Sequence, residues 1–527
     1  MSESTLESSN GDKPTTSYES DKRSPDIYVD DEEFHDSKPS GFLLILVMVS
    51  SVSHFMFGYD TGYISAAIAN IGTDLGPDVL SYGQQEFITS ATSLGAFFGA
   101  LITGFLADFL GRKRCSMFAN FFLIVGAAIQ CGAHTVWTMI AGRFVMGIGV
   151  GLGSVVAPLY ITELAPPRYR GRLTIMASII RTGAQLIAYG IGAGLDHVSH
   201  GWRILIGISM IPCVLQTVLL IPLPDSPRYL VQRGLLDQAK SALTRTHVGA
   251  TEMSIDNKIA ELVISTNELY PEGTTAFGRF LLHIRDLFLI PSNLRGLAIV
   301  CGSQAINQYT SFNALMYFSS TIFAMCGFSN PTAVSTVVAG TNFVFTVVVY
   351  YTIDRVGRRN LMLISLVGMT IGLAVNAIAF HYMDIIFSNN SATAASTNSN
   401  TWGIVIIIFM MFYVAFFAIG VGAIPWQQSE VLPMSVRGLA SSLACCVNWS
   451  GSLVVASTFL TMMQNITPTG TFSFYTGICV VSFVFIWFCF PELKNLSLEE
   501  TQLMLEDGFN VKKSVALSKE RSKKVIN

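Results

Sequence analysis

Charge is scarce in this chain: only 13% of its 527 residues are Asp, Glu, Lys or Arg, against 51% hydrophobic, and the mean hydropathy is +0.50. A soluble fold of this length needs more polar surface than that, so lipid must cover the remainder. Enzyme signatures are missing as well. No nucleotide-binding loop, metal-ligand cluster or nucleophile elbow occurs, which disfavours an enzyme and leaves no cofactor or metal to expect. The nine cysteines have no paired spacing, and Cys115, Cys301, Cys445 and Cys446 lie in or beside apolar runs. They read as small buried hydrophobes rather than a disulfide framework. The net charge of -3 gives no reason to expect nucleic acid as a partner, because the charges are segregated along the chain. A cleavable signal is also lacking: the first 39 residues hold eleven acidic residues, four basic ones and no apolar stretch. Residues 1–40 are therefore expected to form a disordered tail.

What is present is a series of long apolar runs. Crossing about 30 Å of hydrocarbon takes roughly 20 helical residues. Twelve runs qualify, at 41–69, 86–107, 115–133, 136–162, 173–195, 203–223, 294–324, 334–353, 360–382, 402–427, 437–463 and 471–490. Arginine and lysine sort the loops between them. Arg112, Lys113 and Arg114 follow span two, Arg168, Arg170 and Arg172 span four, and Arg355, Arg358 and Arg359 span eight, whereas 70–85, 325–333 and 383–401 contain no Lys or Arg. The positive loops, and with them both termini, are expected in the cytoplasm. Asn389 in the external loop 383–401 is then the best glycan acceptor.

A polar segment, 224–293, with seven basic and eight acidic residues, divides the runs into two halves, 41–223 and 294–490, with a short tail at 491–527. The halves repeat each other. Asp108 and Arg112 after span two correspond to Asp354 and Arg358 after span eight, while Pro158, Glu163 and Arg170-Gly171 recur with the same spacing as Pro425, Glu430 and Arg437-Gly438. Two spaced motifs in the same order point to duplication.

At these residues the chain resembles the major facilitator superfamily, whose loop motif is similar to Asp-x-x-Gly-Arg-Arg at 354–359 and its variant at 108–113. Within it, Phe57-Gly-Tyr-Asp-Thr-Gly62, Pro224-Asp-Ser-Pro-Arg228, Pro425-Trp426 and Pro491-Glu492-Leu-Lys494 resemble the sugar porter family. The wording around them, such as Asn448-Trp-Ser-Gly-Ser-Leu-Val454, is most similar to fungal myo-inositol transporters. The resemblance implies an all-α membrane protein of twelve spans in two six-helix halves, at the plasma membrane. It also implies a proton-coupled transporter of a small polyhydroxylated solute, myo-inositol or a hexose. A passive facilitator is the alternative, and a non-transporting sensor a more distant one, since only a short tail follows span twelve.

Several residues then acquire expected roles. Asp60 lies inside an apolar span, where an ionised carboxylate must be paired or hydrated, so it is a functional candidate. Its expected partner is Arg143, and the resemblance places a proton-binding Asp and its Arg at these positions. A static pair that only fixes packing is the competing reading. Sugar and cyclitol hydroxyls both donate and accept hydrogen bonds, which suits uncharged amides. Gln304, Asn307, Gln308 and Ser311 follow helical spacing along span seven, and the family's break in this segment would let Asn313 reach the same cavity. Gln185, Asn342, Trp426 and Asn448 match other sugar-contacting positions of the family. Departures from the pattern, Asn307-Gln308 for Gln-Gln and Ser178 for Gln, shorten ligands and leave the solute open. Asp108, Arg112, Glu163, Arg170, Asp354, Arg358, Glu430 and Arg437 are expected to pair as a gate when the inner side is closed. Arg181 has no counterpart in the resemblance. Its helical angle places it with Ser178 and Gln185, facing the cavity, to bind solute or Asp60, unless it only snorkels to the surface.

Overall fold

The computed structural model describes residue 34 and residues 37–526, apart from 270–275, 384, 389–390, 395–398, 429–430, 434–435, 495 and 497. Among the described residues eleven helices are long and apolar enough to cross a membrane, and they coincide with eleven of the twelve expected spans. Most are longer than expected; span two, for example, runs Tyr82–Leu110 and span eleven Arg437–Asn465. The run at 294–324 is divided, as the resemblance implied, into Pro291–Tyr309, Phe312–Tyr317 and Ser319–Met325. The break falls at Ser311, whose φ of 69° is left-handed and cannot continue an α-helix. Gln304, Asn307 and Gln308 thus share the helix that their spacing predicts, while Ser311 lies beyond its end.

The duplication is visible in the packing. Spans one and five, two and four, three and four, and three and six pack together in the first half, and spans seven and eleven, eight and ten, nine and ten, and nine and twelve do so in the second. The halves meet chiefly along span two with span eleven and span five with span eight. Gly111 and Gly357, the glycines of the two loop motifs, end spans two and eight at φ of 88° and 96°. A residue with a Cβ is strained there.

Glycine also sets how near span one lies to span five. A Cβ built on Gly58 would lie 1.8 Å from the carbonyl oxygen of Arg181, and one on Gly62 2.7 Å from that of Gln185. Backbones of membrane helices approach this closely only where the side chain is a hydrogen atom.

One expectation changes outside the spans. Residues 38–39 pair antiparallel with His247–Val248 of the linker, and Ser40 caps the first span by accepting from the Leu43 amide at 2.9 Å. The end of the tail is therefore ordered, because its backbone finds a strand partner and a helix to cap. The linker is helical at Pro227–Gln232, Leu236–Thr246, Glu252–Leu269 and Ala276–Leu289. In the segment 383–401, Ile385–Ser388 and Ser391–Ala394 form a hairpin, and Asn389 lies outside the described residues.

Gly58→Ala is expected to abolish accumulation of folded protein, since its methyl group would meet backbone rather than a movable side chain. Gly41→Ala, which meets nothing within 4 Å, should accumulate normally, and size-exclusion profiles of the two detergent-solubilised variants test the contrast.

Candidate functional site

Between the halves lies a narrow cavity. Its polar lining comes from Thr61 of span one, Arg181, Thr182 and Gln185 of span five, Asn307 and Asn313 around the break in span seven, and Asn342 and Thr346 of span eight. Phe57, Phe312 and Phe417 supply apolar wall, and the last two stack at 3.8 Å between centroids. Asn342 Nδ2 donates to Gln185 Oε1 at 2.9 Å, joining span eight to span five across the cavity. Asn313 Nδ2 donates to Gln308 Oε1 at 2.8 Å.

Behind this lining the amides bond one another. Gln308 Nε2 donates to Asn307 Oδ1 and Asn448 Oδ1, both at 3.1 Å, and Asn448 Nδ2 donates to Gln304 Oε1 at 2.7 Å and Asn307 Oδ1 at 3.3 Å. Of the expected ligands, Gln185, Asn307, Asn313, Asn342 and Arg181 line the cavity; Gln304, Gln308 and Asn448 are buried behind it. Trp426 lines a second, small void toward the arginine-rich end, with Pro158, Gln428 and Arg437.

Asp60 and Arg143 meet as expected from their positions. Arg143 Nη1 lies 2.6 Å from Asp60 Oδ1 and its Nη2 3.4 Å from Oδ2, and both side chains are almost wholly buried. Arg143 also donates to the Tyr63 hydroxyl at 2.9 Å and to the Ile88 carbonyl at 3.2 Å. Such extra bonds are what make a buried ion pair tolerable. Arg181 does not touch Asp60; its Nη2 donates to the Gly422 carbonyl at 2.8 Å.

Residues 46–505 match the family model described as "Sugar (and other) transporter". The chain is 51% identical to Myo-inositol transporter 1 of Saccharomyces cerevisiae, over 92% of this chain and 83% of that protein. It is 50% identical to Myo-inositol transporter 1 of Candida albicans, over 93% and 88%. This chain belongs to the sugar porter family. Its fold is that of the major facilitator superfamily: the proton:xylose symporter XylE bound to 6-bromo-6-deoxy-D-glucose superposes with a TM-score of 0.73 at 25% identity, covering 88% of this chain and 99% of that one.

At the arginine-rich end of this sugar porter the repeated charges form two clusters. In the first half Arg112 Nη2 is 3.0 Å from Asp108 and 2.9 Å from Glu163, with the Arg112 and Glu163 side chains buried. Glu163 also accepts from the Ser226 hydroxyl. In the second half Arg358 pairs with Asp354 at 3.1 Å, while Glu430 lies outside the described residues. Arg170 and Arg437 do the same thing in each half: the Nε of each donates at 3.2 Å to the carbonyl five residues earlier, Ala165 and Leu432. An ion pair here joins the halves, Arg172 to Asp354 at 2.8 Å, and both partners are well exposed.

Two acids that were only part of the family wording turn out to be built into this end. Asp225 Oδ1 accepts from the Arg112 amide at 2.9 Å and the Lys113 amide at 3.3 Å, at the start of span three. Glu492 Oε1 accepts from the Arg358 amide at 2.9 Å, at the start of span nine. Each carboxylate takes up helix-terminal N–H groups that have no partner within the helix. Burial pushes the Asp225 carboxyl above its ordinary range, and the N–H groups of Ser226, Lys113 and Arg112 with the Arg112 guanidinium offset only part of that rise. Their sequence signal is a Pro-acid pair closing each half, Pro224-Asp225 and Pro491-Glu492.

Burial decides which of these pairs matters for stability. Glu163→Ala leaves the buried Arg112 with only the partly exposed Asp108 as counter-charge and should cost about 3 kcal/mol, whereas Arg172→Ala should cost about 1 kcal/mol or less. Thermal unfolding of the two purified variants should show a large drop in midpoint for the first and almost none for the second.

Proposed function

We propose that this porter imports myo-inositol or a closely related polyol together with a proton, by exposing the cavity alternately to the two sides of the plasma membrane, with both termini in the cytoplasm. The observation that carries the solute class is the cavity lining. Gln185 Nε2, Asn342 Oδ1 and Asn313 Oδ1 have no protein partner among the described residues, and they offer a mixed set of donors and acceptors without a carboxylate. Hydroxyl groups, which both donate and accept, are the matching chemistry. The two relatives named above as myo-inositol transporters, half identical over nearly the whole chain, favour a cyclitol among such solutes.

Proton coupling rests on Asp60, an acid deep in span one whose cationic partner among the described residues is Arg143. Protonation would loosen its hold on Arg143 and change how span one packs on span four. Passive facilitation is the second reading, favoured by one observation: both Asp60 oxygens are engaged by Arg143, and Asp60 is not part of the cavity lining.

Reconstitution in liposomes separates the two. With a pH gradient, the parent protein should concentrate myo-inositol, while Asp60→Asn should lose accumulation and keep counterflow. Accumulation by Asp60→Asn equal to the parent would rule out Asp60 as the coupling site, and a parent that does not concentrate solute under the gradient would leave the facilitator.

The solute is tested in the same vesicles by competition among myo-inositol, glucose, xylose and glycerol. Asn313→Ala should weaken the preferred solute by about 1 to 3 kcal/mol, roughly 5- to 150-fold in affinity. Glucose uptake without competition by myo-inositol would exclude the cyclitol.

A further inference from the structure

Span ten stops being an α-helix at Ile419 and continues as turns and a short 3-10 segment, Ile424–Trp426. The break frees backbone carbonyls in an apolar interior, where each needs a donor. Asn307 Nδ2 bonds the Val421 carbonyl at 2.6 Å and Gln304 Nε2 the Pro425 carbonyl at 3.0 Å. Both donors sit on span seven, in the same half as span ten, and move with it. The Gly422 carbonyl is held at 2.8 Å by Arg181, which sits on span five in the other half.

We propose that Arg181 is the latch that closes the cavity floor at its arginine-rich end, holding the Gly422 carbonyl of span ten until the halves part there. The inference rests on the alternating-access reading above, but not on the identity of the solute or on proton coupling.

Three further observations support it. First, the guanidinium is gripped by one aromatic ring from each half, with its central carbon 5.5 Å from the Phe57 ring and 5.1 Å from the Trp426 ring. Cation–π contact holds a charge without neutralising it. Second, among the described residues no carboxylate lies within ion-pair distance of Arg181, in contrast to Arg143 and Arg112. The bond across the halves is thus one between a charge and a carbonyl dipole, which water or a solute hydroxyl can replace without leaving an opposite charge buried. Third, the root of the side chain is fixed: the close contact of Gly58 with the Arg181 backbone ties this part of span five to span one. Movement of span ten is therefore what would break the bond. Arg181 lines the central cavity and Trp426 the second void, so their contact is the partition between the two spaces.

Cys445, buried and lining the second void, is a native reporter of that partition. Purified full-length protein in detergent, without solute, is treated with N-ethylmaleimide, and modification of Cys445 is followed by peptide fragmentation, with buried Cys326 at the other end as control. Losing a hydrogen bond to a charged group should shift the closed-to-open balance about tenfold or more. Arg181→Leu is thus expected to label Cys445 about tenfold faster, with Cys326 unchanged. Arg181→Lys, which keeps a donor but not the flat stack, should fall between it and the parent. In vesicles, Arg181→Leu should change the turnover of counterflow more than its half-saturation, and Arg181→Lys should restore part of it. Parent-like labelling of Cys445 in a monodisperse Arg181→Leu protein would overturn the latch. If Arg181→Leu does not fold, Arg181→Lys decides alone, and a parent-like rate in it overturns the proposal. Equal acceleration at Cys445 and Cys326 would mean general loosening and would also overturn it.

Discussion

In hydrocarbon a peptide group must be hydrogen-bonded within the protein, and this constraint explains most of what surrounds the cavity. Two spans give up helical geometry there, span seven at Ser311 and span ten after Ile419. Each break frees backbone groups, and the amides that looked like a ligand stripe are largely their answer. Gln304 and Asn307 spend their Nδ2 or Nε2 groups on span ten and their oxygens on Asn448 and Gln308. The same side chains thus hold the broken helices in place and leave Asn313, Asn342 and Gln185 to face the cavity.

A second regularity concerns where charge is paired. The buried ion pairs of the described residues stay inside one half: Asp60 with Arg143, and Glu163 with Arg112. Between the halves the buried contacts are neutral or carry a single charge. Ser93 meets Ser452 at 2.9 Å, Ser442 donates to the Ala100 carbonyl at 2.7 Å, and the Trp449 indole donates to Ser154 at 3.2 Å. Splitting a buried ion pair costs about 3 to 5 kcal/mol, a neutral hydrogen bond about 1. Halves joined in the second way can separate at modest cost. Glu86 is a contact of the single-charge kind, a buried acid on span two that accepts from the amide and hydroxyl of Thr461 on span eleven at 2.8 and 2.6 Å.

Much of the architecture was legible in the sequence, because a membrane span is written in bulk composition and needs no knowledge of partners. Eleven helices fall on expected runs, and the repeated motifs reappear as repeated geometry, such as Arg170 and Arg437 each reaching back five residues. The side chain of Arg143 could be matched to Asp60 since a buried acid requires a counter-charge. Legibility ended where a residue's partner is a backbone atom. Nothing in Gln304 or Asn448 announces whether an amide faces solute or a broken helix, and nothing in Ser311 announces a left-handed φ. Asp225 and Glu492 were visible as motif letters, but their targets, the first amides of spans three and nine, depend on how each half folds back.

That folding back gives each half a seam. The chain leaves the first bundle at Asp225 and the second at Glu492, and at both exits the acid reaches over to the glycine hinge and fastens the opening turn of the bundle's own third helix. A Cβ on Gly111 would strike Asp225 Oδ2 at 2.3 Å, and one on Gly357 would strike Glu492 Oε2 at 2.4 Å, so the clasp is drawn as tight as the hinge allows. Each bundle is thereby closed upon itself like a hoop before the other is reached. Motion of the chain is steered away from the inside of a hoop and toward the plane where the two hoops face each other, which is held by weaker ties than these carboxylate clasps.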